Sequence, residues 1–482
     1  MGGGVTVYLV GAGPGDPGLL TVRGRELLER CDALVYDRLA DPRIVALAPA
    51  GAERTYAGKE PNRHALSQEQ INDLLVELGG RCRCVVRLKG GDPFIFGRGG
   101  EEALALEEAG IEWEVVPGIS SAIAVPAYAG IPVTQRGMAA QFTVVTGHED
   151  PAKESSDLDW TSLAATPGTL VFLMGVRSLA GNAARLIEHG MSRDTPAAVI
   201  SQGTRPGQRT VTSTLAGIAE AAAGLQAPAI TLVGPVAALH DRLAWWERRP
   251  LFGRRVVVTR ARPQASGLAS RLSELGADVV EAPAIAIEEL PFDTPDLAAY
   301  DILCVTSANG VERLLDGDVR ALHGVVVAAV GRATAQALRS RGIVADVVPD
   351  QAVSDAIVPA LGDVHGKRVL VATAEGARTA LPDGLRAGGA QVDVLHLYRT
   401  VREPVDADAV LGADVVTFTS SSTVDNLLEA LPADGASTLR AVSIGPVTTE
   451  SLRNHGIEPV AEADPHDVDG LVAAVLAVAS GP

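Results

Sequence analysis

The sequence predicts an α/β protein in two halves of different construction. Short apolar segments of strand length alternate with helical stretches along the whole chain, the pattern of sheets covered by helices. Glycine-rich loops follow several of those strands, where α/β folds place ligands. In the second half the chain repeats itself at a nearly constant spacing.

The first element is Val5-Thr-Val-Tyr-Leu-Val10, an unbroken apolar run that reads as a parallel strand buried on both faces. It enters the turn Gly11-Ala-Gly-Pro-Gly-Asp-Pro-Gly18. A helix over about 22–31 and a strand over 33–37 follow. Gly13, Gly15 and Gly18 with Asp37 imitate a dinucleotide fingerprint. Pro14 and Pro17 argue against that reading, because proline removes the backbone donors that a pyrophosphate would use.

The most informative stretch is Arg87-Leu-Lys-Gly-Gly-Asp-Pro-Phe-Ile-Phe-Gly-Arg-Gly-Gly-Glu-Glu102, directly after the strand-like Cys84–Leu88. Glycines at 90, 91, 97, 99 and 100 let the backbone approach a ligand. Lys89, Asp92, Arg98 and Glu101 put charge among them. A plain turn does not need so many aromatic and charged residues. A break falls near 132–140. A second domain then opens with a strand over 141–146 and closes near Ala229–Pro235 with a helix through Trp246. Residues 151–162 read as a polar surface loop.

These segments resemble one family in order. The Gly11–Thr21 turn, Val35-Tyr-Asp-Arg-Leu39, Gly58-Lys59, the Arg87–Glu102 stretch, Val116-Pro-Gly-Ile-Ser120, Gly130-Ile-Pro-Val-Thr-Gln-Arg136, Val145-Thr-Gly147 and Phe172-Leu-Met-Gly175 are similar to the tetrapyrrole methyltransferases of the uroporphyrinogen-III C-methyltransferase type. The resemblance covers about residues 5–245. It implies two α/β domains with S-adenosyl-L-methionine in the cleft between them, lined by Pro14, Gly90, Gly91, Asp92, Ile95, Ser120, Ser121, Met174 and Gly203. The family commonly has Thr-Ala where this chain has Ser120-Ser121. It also implies proton acceptor and donor roles for Asp37 and Lys59, and tetrapyrrole contacts for Arg98, Glu101, Arg38 and Arg136. The chemistry suits such residues. Arginine pairs bidentately with carboxylates of a polyanionic tetrapyrrole. Methylation of ring carbon needs alignment and a nearby base. Arginine is a poor base, so Arg98 reads as an orienting group paired with Glu101. The alternative for Asp37 is a helix cap or turn residue, for Lys59 a solvated surface lysine, and for Met174 core packing. His64 and His148 have no partner that spacing reveals.

The second half opens at Pro250. Arg255-Val-Val-Val-Thr-Arg260 aligns with Arg368-Val-Leu-Val-Ala-Thr373, and Asp301-Ile-Leu-Cys-Val-Thr-Ser307 with Asp414-Val-Val-Thr-Phe-Thr-Ser420; 368 − 255 and 414 − 301 both give 113. Val330-Gly-Arg-Ala-Thr334 aligns with Ile444-Gly-Pro-Val-Thr448 at 114. The period is too long for a solenoid, so two parallel α/β lobes are expected. Val-Thr-Arg260, Thr-Ser-Ala-Asn-Gly310, Leu-Tyr-Arg-Thr400 and Phe-Thr-Ser-Ser-Ser422 make this half similar to the uroporphyrinogen-III synthases over about 251–478. That resemblance implies that the first strand–helix unit packs with the C-terminal repeat, and that linker strands cross near 282–287 and 396–400. It implies closure of a linear hydroxymethylbilane without a cofactor. Tyr398 matches the candidate acid. Thr306, Ser307, Thr334, Ser420, Ser421 and Thr448 are expected to end strands facing the substrate, with helix capping as the alternative. Arg260 and Arg262 are expected to hold propionates, or to be surface residues.

The expected fold is therefore a two-domain tetrapyrrole methylase followed by a two-lobe, duplicated parallel α/β synthase. The methylase occupies 1–249 (parts about 1–135 and 136–249). The synthase occupies 250–482 (lobes about 251–286 plus 399–482, and 287–398). A net charge of −18 weighs against nucleic-acid or anionic-membrane partners. The four cysteines lack zinc-ligand spacing, so no metal is expected and the thiols read as structural in a reducing cytoplasm. The apolar runs are too short and broken for a transmembrane helix, and no signal segment is expected. A homodimer through the methylase half is implied by resemblance. Two other readings stay open: methylation of a later corrinoid beside a non-catalytic tetrapyrrole-binding lobe pair, and a nucleotide-dependent dehydrogenase joined to a two-lobe receptor.

Overall fold

A computed structural model of the chain describes residues 6–58, 66–147, 157–259, 262–315, 322–349, 356–432 and 435–479, with backbone alone for 262–266. The chain divides into two compact units, Met1–Arg255 with Leu272–Asp278, and Val256–Arg271 with Val279–Pro482.

The first unit holds two five-stranded sheets. Strands β1 (Thr6–Gly11), β2 (Ala33–Tyr36), β3 (Glu53–Tyr56), β4 (Cys84–Lys89) and β5 (Glu112–Val116) pair in the order β3-β2-β4-β1-β5, all parallel. Helices cover both faces, and the apolar runs follow from that. Val7 and Leu9 pack with Leu75, Leu78 and Leu106, while Val10 packs with Leu27, Leu28 and Ile44. Each such side chain contributes roughly 1.5–3 kcal/mol on full burial. The helix Gln68–Arg81 shows the local logic. Ser67 and Gln70 form a capping box at its start, and Ile71, Leu75 and Leu78 recur on its buried face.

The second sheet is mixed. Strands β6 (Phe142–Thr146), β7 (Thr169–Leu173), β8 (Pro196–Ser201), β9 (Arg209–Thr214) and β10 (Ala229–Val233) pair in the order β6-β7-β10-β8-β9. Only β6 and β7 run parallel there; the other pairs are antiparallel. Two expectations are corrected in this region. The helix Trp160–Ala164 starts inside the stretch expected to be loop, because Asp159 caps it by accepting the Ser162 N–H. The helix expected to run through Trp246 ends at Leu243, and Ala244 leaves the helical region with ψ 82°. Trp245 and Trp246 then close on Tyr128, with ring centroids 5.2 and 4.8 Å away.

The second unit also holds two five-stranded sheets. Its strands are β11 (Arg255–Val258), β12 (Asp278–Glu281), β13 (Ile285–Glu289), β14 (Ile302–Val305), β15 (Val326–Ala329), β16 (Arg368–Ala374), β17 (Gln391–Arg402), β18 (Val415–Phe418), β19 (Ala441–Ser443) and β20 (Ala461–Glu462). The orders are β12-β11-β18-β19-β20 and β13-β17-β16-β14-β15. The two copies have exchanged their first strands. β11 pairs with β18 (Val256 opposite Val415), and β16 pairs with β14 (Val369 opposite Ile302). These are the same pair under the repeat, since 369 − 256 and 415 − 302 both give 113. β13 runs antiparallel to β17, against the all-parallel expectation. It enters from a short linker, and antiparallel neighbours need no crossover helix.

Candidate functional site

In the first unit the C-terminal ends of β1 and β4 meet. The Gly91 N–H donates to the Gly13 carbonyl at 2.7 Å, and the Gly13 N–H donates back at 3.2 Å. Gly118, after β5, lies against both strands. A Cβ there would stand 2.2 Å from the Gly91 carbonyl oxygen and 2.6 Å from the Gly11 Cα, so a larger residue is excluded. Asp92 fastens this corner: Oδ2 accepts the Gly118 N–H at 3.0 Å and Oδ1 the Phe94 N–H at 2.8 Å. Ser120 follows and caps the helix Ser121–Tyr128, its Oγ accepting the Ala122 N–H at 3.3 Å.

That helix carries the corner to the second sheet. Ala122, Val125 and Ala129 pack against Val171, Leu173, Ile200 and Ile230 of β7, β8 and β10. Gly203, after β8, touches Val125 so closely that a Cβ would stand 2.3 Å from it. The turn after β1 is tied to the same place. The Tyr128 hydroxyl donates to Asp16 Oδ2 at 2.7 Å, and the Asp16 N–H donates to Thr204 Oγ1 at 3.2 Å. Loops from both sheets thus gather around one helix. The left-handed non-glycine residues of the described chain all lie in these loops: Phe96 and Arg98 after β4, Met174 after β7, Gln202 and Thr204 after β8. Such conformations cost about 1–3 kcal/mol each and cluster at functional sites. Ile95 and Met174 are 41% and 54% exposed there, so Met174 is not core packing.

Two charge groups flank the loop after β4. At the surface Arg98 meets Glu101 bidentately, Nε to Oε1 at 2.8 Å and Nη2 to Oε2 at 2.6 Å. These hydrogen bonds hold the Arg98 pKa up and the Glu101 pKa down. Beneath lies a buried group. Glu102 Oε1 accepts from Lys89 Nζ at 2.7 Å and from Arg87 Nε at 3.1 Å. Arg87 Nη2 is 3.6 Å from Asp37 Oδ2. The side chains of Arg87, Lys89 and Glu102 are 4%, 5% and 0% exposed. Burial pushes the Lys89 pKa down, aided by Arg87 and opposed by Glu102. Asp37 Oδ1 accepts the Leu39 N–H at 3.0 Å.

The second unit has a cavity of about 290 Å³ lined by Thr306, Thr373, Arg378 and Tyr398 among apolar side chains such as Val371 and Leu381. The Tyr398 hydroxyl lies 2.8 Å from Ser307 Oγ, and Thr306 Oγ1 donates to Thr373 Oγ1 at 2.9 Å. Ser307 also caps the helix Ala308–Leu314 by accepting the Gly310 N–H at 3.0 Å. Arg378 is exposed and makes no ion pair among the described residues.

Residues 6–219 match the sequence model of the Tetrapyrrole (Corrin/Porphyrin) Methylases, and residues 266–473 match that of Uroporphyrinogen-III synthase HemD. The porphyrin biosynthesis protein HemD of Ruminiclostridium josui is 36% identical over 501 residues, spanning 98% of each chain. The chain belongs to the family that joins a tetrapyrrole methylase to a uroporphyrinogen-III synthase. The S-adenosyl-L-methionine-dependent uroporphyrinogen III methyltransferase of Methanosarcina barkeri is 54% identical over 239 residues, 49% of this chain and 94% of that protein. A crystal structure of uroporphyrin-III C-methyl transferase from Thermus thermophilus, complexed with S-adenyl homocysteine, is 40% identical. The match covers 48% of this chain and 99% of that one, with a TM-score of 0.43.

In the methylase half, Gly91, Asp92, Ser120 and Ser121 share one corner, with Gly90 preceding them and Pro14 half-buried in the turn after β1. Arg38 and Arg136 are exposed without an ion pair among the described residues. Lys59, His64, His148 and Arg260 lie outside the described residues, and Arg262 is described by its backbone alone. In the synthase half, Thr306, Ser307 and Tyr398 come together. Ser420 caps the helix Ser421–Ala430 as Ser307 caps its own, one repeat earlier. Thr334 and Thr448 do not end strands. Each is the third residue of a helix (Arg332–Ser340 and Pro446–Asn454) and is 3% exposed, because the chain turns helical directly after Gly331 and Gly445. Sequence reasoning did not assign Arg87, Lys89, Glu102, Thr373 or Arg378. The signal for the first three was the charged pair at alternate positions of an apolar strand, followed by an acid in the next helix. Among the described residues no group of three or more His, Cys, Asp or Glu is placed to hold a metal ion.

Proposed function

We propose that this chain is bifunctional. The synthase half closes hydroxymethylbilane to uroporphyrinogen III, and the methylase half transfers two methyl groups from S-adenosyl-L-methionine to that product, at C2 and C7, giving precorrin-2. The observation that carries the reading is the gathering of strained strand-end loops from two sheets around the helix Ser121–Tyr128.

S-adenosyl-L-methionine fits this corner: closely approaching backbone at Gly91 and Gly118, the capped helix start at Ser120, and the exposed apolar faces of Ile95 and Met174. Pro14, Gly90, Asp92, Ser121 and Gly203 complete the set. Asp92 holds loop backbone with both oxygens, so its part is to shape the pocket. The bound cofactor supplies an electrophilic methyl group. Arg98, kept cationic and steadied by Glu101, orients a carboxylate of the tetrapyrrole. Arg38 and Arg136 add further carboxylate contacts. Asp37 is the base for the proton that the alkylated ring sheds, and Lys59 the matching donor. The active form is a homodimer through the methylase half. Among the described residues no helix is long and apolar enough to cross a membrane, which suits a cytoplasmic enzyme with water-soluble substrates.

In the synthase half Tyr398, held by Ser307, is the acid that assists hydroxyl departure. Thr306 and Thr373 offer hydroxyls to the folded chain, and Ser420, Ser421, Thr334 and Thr448 belong to the matching helix starts. Arg260 and Arg378 hold substrate carboxylates. Arg378→Ala is expected to raise KM for hydroxymethylbilane about tenfold, the size of one lost charged hydrogen bond, with Arg378→Lys partly restoring it. Incubation of the full chain with hydroxymethylbilane and S-adenosyl-L-methionine, followed by mass spectrometry, tests the whole reading. The expected product is the type III macrocycle carrying two added methyl groups. A purely type I product, or methylation of precorrin-4 in place of uroporphyrinogen III, would overturn it.

A further inference from the structure

The loop after β4 is held at both ends by one buried carboxylate. Arg87 and Lys89 occupy the last two positions on one face of β4, directly before the loop. Glu102 is the fourth residue of the helix Gly99–Glu108, directly after it. Glu102 Oε1 takes both cations, at 3.1 and 2.7 Å, across the whole loop. The only other group from a neighbouring helix that reaches it, among the described residues, is Gln68 Nε2 at 3.5 Å. We propose that Glu102 is the positioning residue of this loop: its carboxylate clasps the strand before the loop to the helix after it, so that residues 90–98 keep one strained conformation.

Three observations support the clasp. The loop holds Gly91, Phe96 and Arg98 in left-handed backbone, at φ 69°, 51° and 61°. Relaxed alternatives compete with such a path unless its ends are fixed. Phe94 donates to Asp92 and Gly99 to the Pro93 carbonyl, while Gly118 from beyond β5 also donates to Asp92 and Gly91 pairs with Gly13 from beyond β1; none of these bonds joins residues 90–91 to residues 97–98. Stability alone does not account for the charges. Apolar residues of similar volume usually match or exceed a buried ion pair, and Glu102 Oε2 is buried with no partner among the described residues. Through Arg87, which also faces Asp37 at 3.6 Å, the clasp extends to the proposed base.

The kinetic arm of the test rests on the methyltransferase reading, and the structural arm does not. Two variants of the full chain are compared with the parent: the isosteric Glu102→Gln, and the charge-balanced apolar pair Lys89→Met with Glu102→Leu. Hydrogen–deuterium exchange of residues 90–98 is expected to quicken at least about tenfold in both. The apolar pair leaves buried Arg87 only the Asp37 carboxylate at 3.6 Å, so it melts several degrees below the parent, and exchange outside residues 90–98 separates that general loss from the local effect. KM for S-adenosyl-L-methionine and for uroporphyrinogen III is expected to rise about tenfold, with kcat changed less than about threefold. Parent-like exchange and KM in the apolar pair overturn the proposal. If that pair does not fold, parent-like values in Glu102→Gln do so. A parent protein that transfers no methyl group refutes the functional reading instead, and the exchange measurement still decides on Glu102.

Discussion

Replacing Arg98 by glycine or alanine is expected to lower kcat/KM for methyl transfer at least about hundredfold, with S-adenosyl-L-methionine affinity nearly unchanged. A bidentate guanidinium–carboxylate contact comprises two charged hydrogen bonds of about 1.5–3 kcal/mol each, and one factor of ten corresponds to about 1.4 kcal/mol. The fold should survive, because the Arg98–Glu101 pair is half-exposed at 55% and 53%, and exposed pairs contribute little to stability. Glycine is the cleaner variant. Arg98 sits at φ 61°, where alanine retains strain of about 1–2 kcal/mol that glycine removes. Steady-state kinetics with calorimetric titration of S-adenosylhomocysteine separates the two effects. Turnover near the parent level in Arg98→Gly would refute the role given to this residue.

Tyr398→Phe is expected to slow the cyclisation of hydroxymethylbilane roughly hundredfold, the low end of what a positioned acid contributes. The ring is buried among Val305, Leu314 and Leu397, so phenylalanine keeps the packing. The lost contact to Ser307 costs about 1 kcal/mol of stability, because Ser307 still caps its helix through the Gly310 N–H. The ratio of type III to type I product is measured beside the rate. An unchanged rate and ratio would leave Tyr398 as a packing residue.

Where the sequence and the structure part company is informative. The loop after β4 announced itself through glycine and charge at fixed places, and Arg98 with Glu101 was legible because residues three apart on a helix face each other. Glu102, one position further, was not legible. Nothing local tells which of two adjacent acids turns inward; the answer depends on β4 and the helix Gln68–Arg81 covering it. Thr334 and Thr448 illustrate the reverse error. Their motifs align at the repeat spacing, but alignment does not say where a strand stops and a helix starts.

What the sequence by itself determined is the set of local, periodic and repeated features: the α/β alternation, the glycine-rich loops after strands, the duplication, and serines at 307 and 420 for which helix capping is one of two readings. Each depends on residues within a turn or two of one another. What only the tertiary structure decided is non-local. It set the mixed direction of the second sheet, the antiparallel pairing of β13 with β17, and the left-handed loops drawn around the helix Ser121–Tyr128. It also enclosed Arg87, Lys89 and Glu102 beneath the loop. Sheet neighbours and charge burial are settled by segments far apart in the chain, because the desolvation of a group depends on everything packed over it.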